Sequence, residues 1–251
     1  MTLKKLERRS DWRGYAFKAM VPIGVLAVVV GAALAWLAFF TDVCSIKTVV
    51  VKGNEHLTVE YIRDRSGVDN HTNLVTLPVG RLDENLENDP WVKEANVGRH
   101  LLHSVRIEVV ERKPIAMVDF SGAAFLVDDQ AHVIAQGATE EFPDIPMVHG
   151  GDASVPTVDA RVSNKKIREC IEVIGAMPQG LRATLAIANP YDGRGYVFIS
   201  RGGYNIVYGP ATECPRKDEI LEAIVYDITS NKRGVAYVDV TVPDCPVIKP
   251  I

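Results

Sequence analysis

The sequence predicts an α+β protein: a single N-terminal transmembrane helix, a small β-α-α-β-β module, and a mostly antiparallel β domain with two flanking helices. Three observations predict it. Residues 19–41 carry no charged side chain; as a helix rising about 1.5 Å per residue they would span roughly 34 Å, enough to cross a bilayer core. Beyond them, short β-branched runs alternate with turn residues and amphipathic stretches. The roughly 210 residues that follow exceed one small module and imply two compact domains.

The apolar segment has the flanks of an anchor. Trp12, Tyr15 and Phe17 stand before it and Trp36, Phe39 and Phe40 crowd its far end, as interfacial aromatics do. Pro22 falls in the first turn, where a missing N–H does little harm. Lys4, Lys5, Arg8, Arg9, Arg13 and Lys18 oppose only Glu7 and Asp11, which holds residues 1–18 in the cytoplasm and sends 42–251 outside. The competing reading is a cleaved signal peptide ending near Ala33-Leu34-Ala35, but the apolar run continues well past that point. Ala27, Gly31 and Ala35 recur on one face, a spacing that admits a second membrane helix and is also common in such helices generally.

The small module comes next. Residues 46–51 are β-branched and end at Gly53-Asn54, a strand and turn. Thr58 caps a helix that Gly67 ends, with Glu60 at its positive end and Leu57 placed to pack on Ile62. A second helix begins near Pro78, puts Val79, Leu82 and Leu86 on one face, and stops at Asp89-Pro90. Residues 91–99 and 104–111 are strands. In the second of these, Val105, Ile107 and Val109 alternate with Arg106, Glu108 and Val110, so one face is buried.

The remainder reads as more sheet. Strands are expected at 115–120, 124–127 and 132–135, with Asp128-Asp129 as a hairpin turn. Residues 141–157 are dense in Pro and Gly and read as loop. Ser163 caps a helix carrying Ile167, Ile171 and Ile174 that ends near Gly175, before Pro178. Strands at 184–188, 196–200 and 205–208 are joined by turns at Gly193-Arg194-Gly195 and Gly202-Gly203. A helix over 216–229 aligns Ile220, Ile224 and Ile228, and 235–242 is the last strand, stopped by Pro243.

Several ordered motifs resemble one family. Val51-Lys52-Gly53-Asn54, Leu57-Thr58, Gly67-Val68, Asn73-Leu74, Pro90-Trp91-Val92 and Glu111-Arg112-Lys113-Pro114-Ile115-Ala116 are similar to the FtsQ/DivIB bacterial cell-division proteins. Gly209, Lys217 and Tyr237-Val238-Asp239-Val240 continue the resemblance more thinly. It implies a POTRA domain over 42–113 and an FtsQ-type β domain over 114–251. It also implies a scaffold of the divisome that binds FtsB/DivIC-like and FtsL-like partners outside the membrane and helps control septal peptidoglycan synthesis. Thr212-Glu213-Cys214-Pro215 looks like a local insertion, and Thr241 and Val242 stand where members often carry Arg or an aromatic residue.

Composition and motifs argue against other chemistry. Outside residues 1–18 the chain has 22 basic and 30 acidic residues, a surface that repels phosphate backbones. There is no Gly-x-Ser-x-Gly, His-Glu-x-x-His or Walker-type loop. His100 and His103 fall in a loop without a third ligand at metal spacing. Asp128-Asp129 and Glu140-Glu141 are placed as solvated turn residues. No cofactor, metal, catalytic residue, nucleic acid or small-molecule substrate is expected. Of Cys44, Cys170, Cys214 and Cys245, the pair to bridge, if any does, is Cys214 with Cys245; four unpaired thiols are the equal alternative. An envelope transport factor built on a POTRA module would ordinarily carry several copies and a many-stranded barrel. An anchored envelope enzyme would need a convergent polar site in 114–251.

What remains is protein recognition. A final strand with an unpaired border offers N–H and C=O groups to an incoming peptide. By the family resemblance, the contact residues are Lys217 on the last helix and Tyr237, Val238, Asp239, Val240, Thr241 and Val242 on the last strand. An ordinary exposed lysine and a core tyrosine are the alternatives for Lys217 and Tyr237.

Overall fold

The structure is a computed structural model that describes residues 11–40, 44–69, 72–100, 103–137 and 142–251. Within the first helix, side chains are described for 23–37. Residues 1–10 with their four basic side chains, Thr41, Asp42 and Glu140-Glu141 lie outside the described residues.

Helix α1 (Asp11–Phe40) contains most of the expected membrane segment. Its side chains from 23 to 37 are exposed and apolar, Val28 at 72%. That stretch covers about 22 Å as a helix, and among the described residues no helix is long and apolar enough to cross a membrane.

The chain divides into two compact units. The first draws on residues up to Asn54, on Thr58–Asn85 and on Ala95–Val109. Its elements run β1 (Thr48–Lys52), α2 (Val59–Ser66), α3 (Val79–Glu87), β2 (Val92–His100) and β3 (Ser104–Glu111), the predicted order. The sheet order is β1-β3-β2, with β1 parallel to β3 from Thr48↔Ser104 to Lys52↔Glu108. Thr58 caps α2 by accepting from Tyr61 N at 3.2 Å, and Gly67 closes it in the left-handed region. Gly53 (φ +83°) has no room for a side chain: a Cβ there would stand 2.1 Å from Val109 O. Ile46, Ile62, Leu82, Val97, Val105 and Ile107 form the buried apolar set. Each such side chain contributes about 1.5–3 kcal/mol by leaving water.

The second unit holds Glu55–Leu57, Leu86–Glu94 and Val110–Ile251. Its strands are β4 (Ala116–Phe120), β5 (Ala123–Val127), β6 (Val133–Gln136), β7 (Met147–His149), β8 (Leu185–Asp192), β9 (Gly195–Ser200), β10 (Asn205–Gly209), β11 (Val235–Asp239) and β12 (Val247–Pro250). Helices α4 (Lys165–Ala176), the short α5 (Gln179–Arg182) and α6 (Cys214–Ser230) complete it. The nine strands make one sheet in the order β12-β11-β10-β9-β8-β7-β4-β5-β6. Antiparallel pairs outnumber the parallel ones, which are β4–β7, β7–β8 and β10–β11.

Successive residues of a strand point to opposite faces, and the sheet uses both. One face packs Val118, Phe120, Phe198 and Ile206 with Ile167, Cys170 and Ile171 of α4 and Leu221 and Val225 of α6. Met117, Leu126 and Ile134 face the other way, with Trp91, Phe142, Ile145 and Met147 against them.

Three expectations need correction here. β7, in the interior of the sheet between β8 and β4, arises inside the Pro- and Gly-dense stretch expected to be loop; at three residues it is too short to show alternation. Asn164, rather than Ser163, caps α4, accepting from Lys166 N and Ile167 N. Asp128 is not a solvated turn residue: it is 1% exposed, its Oδ2 accepts from Arg112 Nη1 at 2.8 Å, and its Oδ1 accepts from Gln130 N and His132 N.

Candidate functional site

The run Glu111-Arg112-Lys113 is explained residue by residue. The buried Glu111 carboxylate accepts three successive backbone N–H groups, from Glu55 (2.9 Å), His56 (2.7 Å) and Leu57 (3.0 Å). Arg112 meets Asp128, and Lys113 Nζ donates to Glu55 Oε1 at 3.1 Å. His56 stacks on Trp91 with ring centroids 3.9 Å apart. These contacts are structural and offer no reactive group.

The C-terminal hairpin is the other region the sequence singled out, and the structure redraws it. β11 lies parallel to β10 (Asn205↔Tyr237 to Val207↔Asp239), and Val240 N extends the pairing by donating to Val207 O at 2.9 Å. Asp239 Oδ1 then accepts from Thr241 N at 2.9 Å and turns the chain out of the strand. Cys245 N donates to Val242 O, Arg216 of α6 grips Asp244, and the chain returns as β12. β12 is antiparallel to β11, with Tyr237↔Lys249, Val238↔Ile248 and Asp239↔Val247 in register.

The expected open border on 235–242 is therefore occupied by the chain's own β12. Val238 and Val240 are fully buried, Tyr237 and Asp239 are partly so, and Thr241 and Val242 belong to the turn. Thr241 and Val242 are β-branched and favour a longer strand, but Asp239, accepting from the backbone two residues on, ends β11 first.

Lys217 is likewise not a surface contact, being 0% exposed. Its Nζ donates to Pro210 O at 2.8 Å and lies 5.1 Å from the centre of the Tyr208 ring. Burial holds this ammonium below its usual pKa, with nearby negative groups opposing the shift. Asp218, accepting from Tyr208 Oη at 2.9 Å, is pushed up by burial, a shift that the Tyr208 bond and Lys217 restrain. Gly209 (φ +76°) lies in the same corner, where a Cβ would come within 2.9 Å of Thr241 Cγ2. The corner is a packed hinge for the hairpin.

Nor do Cys214 and Cys245 form a bridge: all four cysteines are free thiols. Cys214 is partly buried at the start of α6, whereas Cys245 is exposed in the β11–β12 turn. His100 and His103 take separate partners, Arg106 Nη2 and Ser45 O. Among the described residues no group of three or more His, Cys, Asp or Glu side chains is arranged to hold a metal ion.

The sheet has two ends, and they differ. At β6, Val133 N donates to Ala160 O (2.8 Å) and Val133 O accepts from Asp159 N (2.9 Å), so residues 159–162 cover the border at its Val133 end. At the other end, every residue of β12 is exposed. Ile251 N donates to Gly234 O at 3.2 Å. Since main-chain groups alternate in direction along a strand, Lys249 also turns toward β11, while Ile248 and Pro250 turn outward. Proline has no N–H, so Ile248 carries the outward donor of β12, and carbonyls make up the rest of that border. The sequence signal for this strand was Val247-Ile248 between Pro246 and Pro250, easily passed over because prolines demote a run to an edge or to no strand at all.

Residues 44–112 match the family described as POTRA domain, FtsQ-type. Curated relatives extend the similarity across the chain. The Cell division protein FtsQ of Streptomyces collinus is 24% identical over 243 residues, covering 94% of this chain and 89% of the relative. That of Koribacter versatilis (strain Ellin345) is 27% identical over 170 residues, covering 63% of this chain and 47% of the relative.

The chain is similar to the FtsQ/DivIB family of cell-division proteins.

It spans about half the length of the first curated relatives it matches, 47% and 49%. The major extracytoplasmic domain of the cell-division protein DivIB from Geobacillus stearothermophilus aligns at 14% identity with a TM-score of 0.30, covering 48% of this chain and 97% of that one.

Proposed function

We propose that this FtsQ/DivIB-type protein is a non-catalytic scaffold of the division machinery that recruits a partner by adding its strand to the outer border of β12. The observation that carries the reading is the contrast between the covered β6 border and the exposed β12 border. An added strand gains main-chain hydrogen bonds, each worth about 0.5–1.5 kcal/mol net.

In this reading residues 1–18 are a cytoplasmic tail and 19–41 a single-pass anchor in the cell membrane. Residues 42–113 are the POTRA domain and 114–251 the β domain, both outside the membrane and gathered at the septum. The apolar exposed face of α1 supports the anchor. The partners are FtsB/DivIC-like and FtsL-like proteins, through which the scaffold helps control septal peptidoglycan synthesis. Tyr237 and Asp239 act from behind the border: Lys249 Nζ lies 5.9 Å from the centre of the Tyr237 ring.

The test is co-purification of FtsB- and FtsL-like proteins with the full-length chain and with one ending at Cys245. The shortened chain is expected to lose the FtsB-like partner. Equal recovery by both rejects the β12 site.

A further inference from the structure

Where the chain leaves α1 and enters β1, it gathers cations at one end of the three-stranded sheet. His103 O accepts from Lys47 N (2.8 Å) and Thr48 N (3.2 Å), and His103 Nδ1 lies 3.2 Å from Ser45 O. The β2–β3 turn thus stands beside the first described residues after the helix. Leu74 N donates to Cys44 O at 2.8 Å, which brings the segment after Asn73 to the same end.

The side chains here are mostly basic. Lys47, Arg99 and His100 are exposed and Arg106 is half-exposed. Arg99 donates to Leu74 O (2.8 Å), Val75 O (3.4 Å) and Leu77 O (2.9 Å), which fixes its guanidinium beside that segment. Arg106 Nη2 is 3.3 Å from His100 Nε2, its Nη1 is 3.8 Å from Glu108, and its Nε is buried without a hydrogen-bond partner. Asn96, Gly98, Arg99, His100, Arg106 and Glu108 line an open recess of about 190 Å³. Val75, exposed at 39%, adds an apolar contact beside it.

We propose that this end of the sheet rests on the membrane surface, with the phosphate of an anionic phospholipid held between Arg99 and Arg106. The inference rests on the reading of α1 as an anchor. Three residues separate Phe40 from Cys44, and the four steps between them reach at most about 14 Å. That is close to the screening distance of roughly 8–10 Å over which headgroup charge acts. Arg suits a phosphate because its guanidinium carries five N–H donors, of which Arg99 directs those of Nε and Nη2 to carbonyls. Each cation so placed raises surface affinity about fivefold.

The experiment uses the full-length chain in lipid nanodiscs made with phosphatidylcholine alone or with added phosphatidylglycerol. Amide hydrogen exchange is followed over 96–100 and 103–108. Exchange is expected to slow at least about fivefold in the anionic discs, to recover at high salt, and to lose its lipid dependence in Lys47→Gln/Arg106→Gln. Equal exchange of the wild-type chain in both discs overturns the inference, whatever the variant does. A chain that fails to enter discs of either kind instead overturns the anchor reading.

Discussion

The two borders of the nine-stranded sheet solve one problem in opposite ways. At β6 the outward groups of Val133 are consumed by Ala160 and Asp159, and the hydrogen bond between His132 Nε2 and Asp159 Oδ1 (2.9 Å) fastens the covering segment. At β12 nothing in the second unit's described residues plays that part, yet Pro250 reduces the donors on display. A border can be closed by chain or thinned by chemistry, and only the thinned one stays accessible.

Proline placed at each border should separate the two. Asp159 sits at φ +68° and donates its N–H to Val133 O. Asp159→Pro would violate both requirements and is expected to cost about 3–4 kcal/mol in urea unfolding. It would also expose β6, visible as concentration-dependent association in sedimentation. A variant as stable as the wild type would show that the cover is incidental.

The next effect concerns the hinge behind β12. Lys217→Ala removes a buried stem and leaves Pro210 O without its donor, a loss of about 2–4 kcal/mol. The same variant tests the charge. Burial lowers the Lys217 pKa, so above that lowered value the folded chain holds fewer protons than the unfolded one. This residue's contribution to stability therefore rises with pH up to the ordinary lysine value near 10.4. Subtracting melts of Lys217→Ala from those of the wild type at successive pH values isolates that slope from the opposing tyrosines. A difference that stays flat or falls refutes the assignment.

At the bare border, Ile248→Pro should do the reverse of Asp159→Pro. It deletes an outward N–H not used by β11, so stability should change by less than about 0.5 kcal/mol. Affinity for the FtsB-like partner should fall about tenfold, read by titration calorimetry. Unchanged affinity would mean that the partner does not pair with this strand.

The smallest effect is chemical. Cys245 is exposed while burial pushes the Cys170 thiol up, so iodoacetamide should label Cys245 first and Cys170 only on unfolding. Early labelling of Cys170 would show that α4 lifts from the sheet.

Much of the fold was legible because its elements announce themselves locally. Thr58 and Gly67 bracket α2, the alternation from Val105 to Val109 gives β3 its buried face, and Ile167, Ile171 and Ile174 align on α4. The misses share a cause: each depends on a partner distant in sequence. β7 exists because β4 and β8 flank it. Asp128 is buried because Arg112 and two main-chain donors await it. Lys217 reads as a helix-surface lysine until Pro210 and Tyr208 fold beneath it. The candidate site was the least legible, since which strand ends a sheet is a property of topology, and three residues between prolines carry little periodic signal.

One consequence follows from the outward turn of Ile248 and Pro250. Two copies meeting rim to rim would set lone pair against lone pair at Pro250, with a solitary amide apiece to share. Self-pairing is thereby discouraged, while a foreign strand rich in free amides is welcomed. The same proline that weakens this strand as an adhesive makes it discriminating.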